Sequence, residues 1–404
     1  MLAQSCCLQL LILLLLLRLP PSVQQKSRKY YWNLKMRERK FKMFGTRKTQ
    51  IQPLLISTWN YTDANLQAWS VLQQGSRRTR QAVIQGCLAC QSQRCGRLLA
   101  GGASPDANGT LTLEAAIMDG STLRYGAVAG MEGVRNAILV ADAVIRYTKH
   151  SLLVGKSATK FARSMGYKED YPESKGTQKV LKKWNLNACQ PNFWRDVNPS
   201  PMENCGPYTP LPQHLMKQPL HPEYPIVLGQ HDQLAILALD AEGQFHVASQ
   251  SSGAPFRIPG RVGDSAVPGA GIYADNEVGA AVASGDGDVL MRHLPAFLAV
   301  EAMRGGQRPD KAAEGVVQRL LRHNTEFNGA VVVVNRRGIY AAACAGIDEF
   351  HFVVSGGKEY LSMARVERIK CLERETEIVD GGPKGLFRRN PEKQVVHRAG
   401  NKFS

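Results

Sequence analysis

The cysteines are the first residues whose type and spacing suggest chemistry. Cys87 and Cys90 stand at the C-x-x-C spacing that can hold a metal ion or a redox-active pair. No second C-x-x-C motif and no neighbouring histidine pair supports zinc, so the sequence predicts neither a metal nor a cofactor. Disulfide bonds are the alternative use of these cysteines, and they form in oxidising compartments.

The N-terminus indicates that the chain enters an oxidising, secretory compartment. Residues 10–17 form an unbroken apolar run, which is too short for a transmembrane helix and typical of a signal-peptide core. We expect a signal peptide over residues 1–24, with a short signal anchor as the alternative. No other segment reaches about 18 apolar residues, so we expect no membrane span in the mature form.

Cysteine number and glycosylation sequons agree with the secretory route. Two N-x-S/T sequons lie at Asn60 and Asn108. Seven cysteines follow the expected signal peptide, and this odd number leaves at least one thiol free unless it pairs between chains. We expect a secreted or lysosomal glycoprotein.

The positive charge of the chain lies mostly at its two ends. The formal net charge is +17, of which residues 1–48 contribute +10 and residues 384–404 contribute +5. The body, residues 49–383, is left with +2, so no nucleic-acid partner is expected. Residues 26–48 mix ten basic residues with five aromatic ones. They could contact a polyanion such as heparin, or form a solvated arm or propeptide.

Hydrophobic patterns predict strands and helices on both sides of a Pro-rich segment. We expect a basic arm over residues 25–50, a linker over 206–232 and a basic tail over 376–404. The linker separates two halves of one α/β domain, residues 51–205 and 233–375. Asp119-Gly120 predicts a hairpin, and residues 288–303 predict one long apolar helix.

Residues 260–275 carry a long, unusual motif, GRVGDSAVPGAGIYAD. It resembles the signature of the glycosylasparaginase and plant-type asparaginase family of N-terminal nucleophile hydrolases. The likeness runs from about residue 51 to residue 371, with further blocks at residues 58–59, 104–106, 117–120 and 153–159. The blocks at residues 187–195 and 205–208 resemble the glycosylasparaginase branch.

The resemblance implies a four-layer αββα fold and a precursor that cuts itself before a threonine. The new N-terminal threonine attacks the substrate amide, and its own α-amino group acts as the base. An α-amine has a pKa near roughly 7.7–8.0, which suits this task. The family also often assembles as dimers of processed units, so a homo-oligomer is one expected assembly.

The chain departs from this pattern at the nucleophile. His231-Asp232 matches the residues before the cut, but the next residue is Gln233. A carboxamide is not a nucleophile, so neither self-cleavage nor acyl transfer can proceed through it. The family's nearby glycine is replaced by Ala235, and a hydroxyl near the cleavage centre is replaced by Leu98. We expect an uncleaved, catalytically inactive protein.

Other site positions match the family. Arg261 matches the arginine that binds the substrate α-carboxylate, and Asp264 matches the carboxylate that binds the α-amine. The alternative is that these two residues form only a structural ion pair. If the roles persist, the ligand would be a small zwitterion resembling asparagine or aspartate.

Four further positions match pocket residues of the family. Ser284 and Gly285 align with the pair whose hydroxyl and N–H form an oxyanion hole. Ser251 aligns with a second pocket threonine, and Trp59 with a tryptophan that lines the pocket. The resemblance also implies three disulfide bonds and a free Cys87: Cys90–Cys95, Cys189–Cys205 and Cys344–Cys371.

Two other hypotheses stay open. The chain could be a residually active amidohydrolase that uses Ser251 or Thr58, or a Gln233 terminus exposed by another protease. It could instead be a secreted interaction protein whose basic arms contact acidic glycans.

Overall fold

The computed structural model describes residues 51–93, 95, 105–168, 175–215, 233–357 and 360–372. The expected signal peptide, basic arm and C-terminal tail lie outside these residues, as do residues 97–100 and 231–232. The domain boundaries therefore stay predictions.

The strands form one large and one smaller sheet. The eight-stranded sheet has the order β14-β13-β1-β7-β8-β2-β3-β4, the four-stranded sheet β12-β11-β10-β9, and β5 pairs with β6. All pairings are antiparallel except that of β3 with β4. The strands are β1 Leu54–Thr58, β2 Thr112–Asp119, β3 Tyr125–Glu132, β4 Leu152–Val154, β5 Val197–Asn198, β6 Thr209–Pro210, β7 Leu234–Leu239, β8 Phe245–Ser251, β9 Ile272–Asp275, β10 Gly279–Gly285, β11 Gly329–Asn335, β12 Tyr340–Ala345, β13 Glu349–Gly356 and β14 Tyr360–Lys370.

Helices precede and follow these strands on both sides of the Pro-rich segment. They are α1 Thr62–Leu72, α2 Thr79–Gln93, α3 Ala137–Tyr147, α4 Gly155–Ser164, α5 Lys175–Leu186, α6 Gly287–His293, α7 Pro295–Arg304 and α8 Pro309–His323. Short 3-10 turns occupy Gln213–Leu215 and Asp264–Ala266.

The central strands are buried on both faces, which explains their continuous apolar sequences. Along β7, Leu234 and Ile236 join a core with α1, α2, α3 and α4, whereas Leu237 and Leu239 join the core that the two sheets share. Strand β11 shows the same alternation between the shared core and a third core with α6, α7 and α8. Alternate side chains point to opposite faces of a strand, so both faces need apolar residues.

The structure corrects the prediction of one helix over residues 288–303. Helix α6 ends at His293 and α7 begins at Pro295, because Leu294 adopts the left-handed conformation with φ +50°. Proline has no N–H to donate and disfavours helical geometry in the residue before it. Helix α5 and the strands β4, β5, β6, β9, β10 and β14 were not predicted.

The cysteine pairing is confirmed. Disulfide bonds join Cys90–Cys95, Cys189–Cys205 and Cys344–Cys371. Cys87 is free and buried, and burial raises the pKa of its thiol, which keeps it neutral. The described helices include none that is long and apolar enough to cross a bilayer. Both sequon asparagines, Asn60 and Asn108, are exposed.

Truncation of Leu237 tests the shared core. Leu237 is fully buried, so Leu237→Ala should lower the free energy of unfolding by about 2–5 kcal/mol. The matched control is Leu66→Ala on α1, where the side chain is 38% exposed and the change should stay within about 0.5 kcal/mol. Urea unfolding followed by fluorescence measures both. Equal losses would show that the core does not depend on this leucine.

Candidate functional site

Gln233 lies immediately before β7, and its side chain is fully buried. The Nε2 amide donates to the carboxylate of Asp264 and to the backbone carbonyl of Ala283. Asp264 begins a 3-10 turn, and Ala283 lies on β10 of the smaller sheet. One carboxamide therefore joins the large sheet to the small sheet and to the loop that carries Asp264.

Gly271 leaves the space that this carboxamide fills. A Cβ atom at position 271 would lie 2.7 Å from both Nε2 and Oε1 of Gln233. Gly271 also accepts a backbone hydrogen bond from Ala283 at 2.8 Å, which holds it beside β10. Within the described residues, Oε1 of Gln233 has no hydrogen-bond partner. The side chain is therefore enclosed, but only its donor half is satisfied.

Ser284 and Trp59 hold the backbone of Gln233. The Ser284 hydroxyl donates to the Gln233 carbonyl at 2.9 Å and accepts from Trp59 Nε1 at 2.8 Å. Trp59 follows β1 with φ +60° and packs edge-on against Phe350, with ring centroids 5.0 Å apart. The serine expected to stabilise an oxyanion thus contacts the carbonyl of the residue at the nucleophile position.

Gly285 ends β10 in a conformation and a space that suit glycine. Its φ is +148°, and a Cβ there would lie 2.3 Å from the carbonyl oxygen of Asn328. The next residue, Asp286, caps α6 by accepting from the N–H groups of Asp288 and Val289 at 3.0 and 3.2 Å. This sequence of strand, glycine and capped helix places Asp288 near the site.

Arg261 is engaged by that helix. Its Nη2 lies 2.9 Å from Asp288 Oδ2, and its Nε lies 3.3 Å from the same oxygen. The Arg261 side chain is 12% exposed, whereas that of Asp288 is 45% exposed. Because Asp288 is partly open to solvent, its attraction for the guanidinium is screened by water and salt.

Glu114 adds a second carboxylate to the region. It lies on β2, where it pairs with Ser251 of β8, and it accepts the N–H of Gly263 at 2.9 Å. Burial, together with the negative charges of Asp264 and Glu114, raises the pKa of Tyr125 well above its ordinary value. Tyr125 therefore stays a neutral phenol beside two carboxylates.

The hydroxyls considered as substitute nucleophiles have structural roles. Ser251 Oγ accepts from the N–H of Gly253 at 2.8 Å, and Thr58 Oγ1 accepts from the N–H of Ala235 at 2.9 Å. Neither hydroxyl bonds to a basic side chain within the described hydrogen-bond network. A base within hydrogen-bond reach is what a serine or threonine nucleophile needs.

The structure brings Gln233, Asp264, Ser284 and Trp59 into one hydrogen-bonded group, and it places Arg261 on Asp288. Sequence reasoning missed Glu114, Asp288, Tyr125 and Gly271. Glu114 carried a signal, since it is the one acidic residue inside the apolar stretch of β2. In the described part of the chain, no group of three or more His, Cys, Asp and Glu side chains could hold a metal ion.

Comparison with known proteins places these residues in a family context. The sequence model of the family described as asparaginase matches residues 46–361. An L-asparaginase-like protein of Drosophila simulans is 81% identical over 98% of this chain and 100% of its own length. One of Drosophila melanogaster is 80% identical with the same coverage, and one of Drosophila persimilis is 64% identical over 83% of this chain and 73% of its own.

Replacing the carboxamide with a carboxylate tests the contact with Asp264. Gln233→Glu removes the amide donor and sets two carboxylates together, so the pKa of the new group should rise above its ordinary value of about 4.3. The variant therefore keeps its stability at pH values below about 4.3, where the new carboxyl group is protonated. It loses stability as the pH rises through the raised pKa. We expect a deficit of about 2–4 kcal/mol at pH 7 that shrinks towards pH 4, measured by urea unfolding.

The control for this variant is Gln67→Glu on the exposed surface of α1, which makes the same charge change. It should alter the free energy of unfolding by less than about 0.5 kcal/mol. A Gln233→Glu deficit that does not change with pH would contradict the contact with Asp264.

Proposed function

The chain belongs to the asparaginase family, and from this membership we propose that it is a catalytically inactive member that does not cleave itself. The observation that carries this proposal is the side chain at the nucleophile position. Gln233 presents a carboxamide whose nitrogen is engaged by Asp264 and Ala283. Neither a hydroxyl nor a thiol is available there to attack a carbonyl carbon.

We propose that the architecture is the four-layer αββα sandwich of N-terminal nucleophile hydrolases. Support comes from strands β7 and β11, whose two faces join different apolar cores. Each outer core contains helices, and the middle core contains strands of both sheets. A retained fold with an altered nucleophile is what loss of chemistry alone would leave.

The side chain of Gln233 closes the site to a ligand. The Gln233 amide donates to Asp264, the carboxylate that would bind a substrate α-amine. Arg261, which would bind the α-carboxylate, already faces Asp288. A zwitterion such as asparagine or aspartate must therefore displace one internal contact at each end. Binding by the native chain should be weak for this reason.

We propose that the protein enters the secretory pathway and is either secreted or lysosomal. Three disulfide bonds favour an oxidising compartment, and the exposed Asn60 and Asn108 are accessible to glycosylation. The basic arms invoked by the alternative interaction hypothesis lie outside the described residues.

The processing state tests the proposed inactivity. Expressed in secretory insect or mammalian cells, the native chain should show no fragment beginning at Gln233 on a denaturing gel with mass spectrometry. It should release no aspartate from asparagine or from a glycosylasparagine above a protein-free blank, and Gln233→Ala, which also lacks a nucleophile, should behave in the same way. Cleavage before Gln233, or aspartate release by either protein, would contradict the proposal.

Shortening Gln233 tests whether that side chain closes the site. Gln233→Ala should bind L-aspartate at least about tenfold more tightly than the native chain in isothermal titration, because Asp264 is freed from its internal donor. Adding Arg261→Gln to Gln233→Ala should remove this gain. Equal, weak binding by Gln233→Ala and the native chain would show that something else closes the site.

A further inference from the structure

The near-neutral charge of the body conceals a strongly basic region. Residues 146–195 contain eleven Lys/Arg and three Asp/Glu, a net charge of +8 within a body of +2. The remaining body residues are therefore acidic, with a net charge of −6. All three acidic residues of this region fall within residues 169–174, outside the described part. Every charged residue described between positions 146 and 195 is basic.

Two helices display these charges. On α4, Lys156 and Lys160 are exposed and four residues apart, so they share one helix face. On α5, Lys179, Lys182 and Lys183 are exposed with the same helical spacing. We call these five lysines the basic surface. A rise of 1.5 Å per residue sets charges about 6 Å apart along each helix.

A chain of contacts connects both helices to the same end of the β2–β3 pair. Thr159 of α4 bonds to the backbone of Glu132 at 3.0 and 3.1 Å, and Glu132 pairs with Thr112 across the sheet. The Thr112 hydroxyl accepts from the Arg257 guanidinium at 2.6 Å. The backbone carbonyl of Arg257 accepts the N–H of Ala107 at 2.9 Å.

Helix α5 completes this connection. Leu181 and Trp184 pack in the small apolar cluster that contains Ala107, and Trp184 stacks on Phe256 with ring centroids 4.8 Å apart. Both helices that carry the lysines are therefore linked to the same end of the β2–β3 pair.

The two helices differ in what they offer to a bilayer. Ala158 and Ala162 of α4 are buried in the core beneath the large sheet, so α4 presents lysines rather than an apolar face. Helix α5 buries Trp184 in the small cluster but leaves Val180 and Leu186 43% and 80% exposed, so anionic vesicles are among the probes of the test. Disulfide bonds favour an oxidising compartment, where sulfated glycans rather than nucleic acids are the abundant polyanions.

We propose that the basic surface on α4 and α5 binds a linear sulfated polysaccharide. Ammonium groups repeating about every 6 Å along two helices match a polymer with closely spaced sulfates better than a single small anion. This surface is distinct from the site around Gln233 and does not depend on whether that site is active. It also differs from the N-terminal arm, because it is carried by the folded body.

The test compares two full-length variants with equal charge changes. One is Lys156→Gln, Lys160→Gln, Lys179→Gln and Lys183→Gln; glutamine retains helix propensity. The control is Arg319→Gln, Arg322→Gln, Arg336→Gln and Arg337→Gln, all exposed and remote in sequence from the basic surface. Both keep the basic arm and tail, so any difference between them reports on the surface itself.

The probe is heparin, measured by elution from a heparin column and by titration at about 0.15 M NaCl. The lysine variant should bind at least about tenfold more weakly than the native chain and show a smaller salt dependence, whereas the arginine control should change less than about threefold. Equal shifts in both variants, or native-level binding by the lysine variant, would overturn the proposal, provided that thermal melting shows both variants folded.

Two further probes identify the class of polyanion. Fully desulfated heparin should bind far more weakly than heparin. Phosphatidylserine vesicles and a DNA duplex should show no loss of binding specific to the lysine variant. A lysine-dependent affinity for vesicles or DNA that exceeds the affinity for heparin would overturn the assignment to a sulfated glycan.

Discussion

The apolar core shared by the two sheets is the constraint on which the site depends. It fixes β7 opposite β10, so that the residue before β7 lies against Ala283. Any side chain at position 233 is therefore placed beside Asp264, Ala283 and Ser284. The site geometry is a consequence of sheet packing, which is why it can persist when the residue at its centre changes.

Gln233 is compatible with this position because it supplies a donor to a buried acid. A carboxylate as buried as Asp264 is costly unless hydrogen bonds compensate it, and the carboxamide provides one without adding charge. Gly271 provides the space for the larger side chain. Under the proposed function, the contact that satisfies Asp264 also occupies the place of a ligand amine, so stabilisation and closure of the site would share one cause.

Much of the fold and of the site followed from the sequence, and the exceptions have physical reasons. Strands buried on both faces gave strong apolar signals, and the motif at residues 260–275 located Arg261 and Asp264. Local sequence patterns do not specify which residues of distant elements meet in the folded chain. The contact of Gln233 with Ala283 and that of Arg261 with Asp288 were therefore not predictable. Helix α5 was missed because its few apolar residues, such as Leu181, pack on a small cluster rather than on a sheet.

The net charge of the body likewise does not reveal where the charges lie on the folded chain. A net charge of +2 averages over the body, but electrostatic attraction acts over about a Debye length of 8–10 Å at ordinary salt concentration. What a polyanion meets is therefore the local lysine density of α4 and α5, not the total. Loss of chemistry at Gln233 would leave such a surface unaffected, because the contacts that position α4 and α5 do not pass through the site.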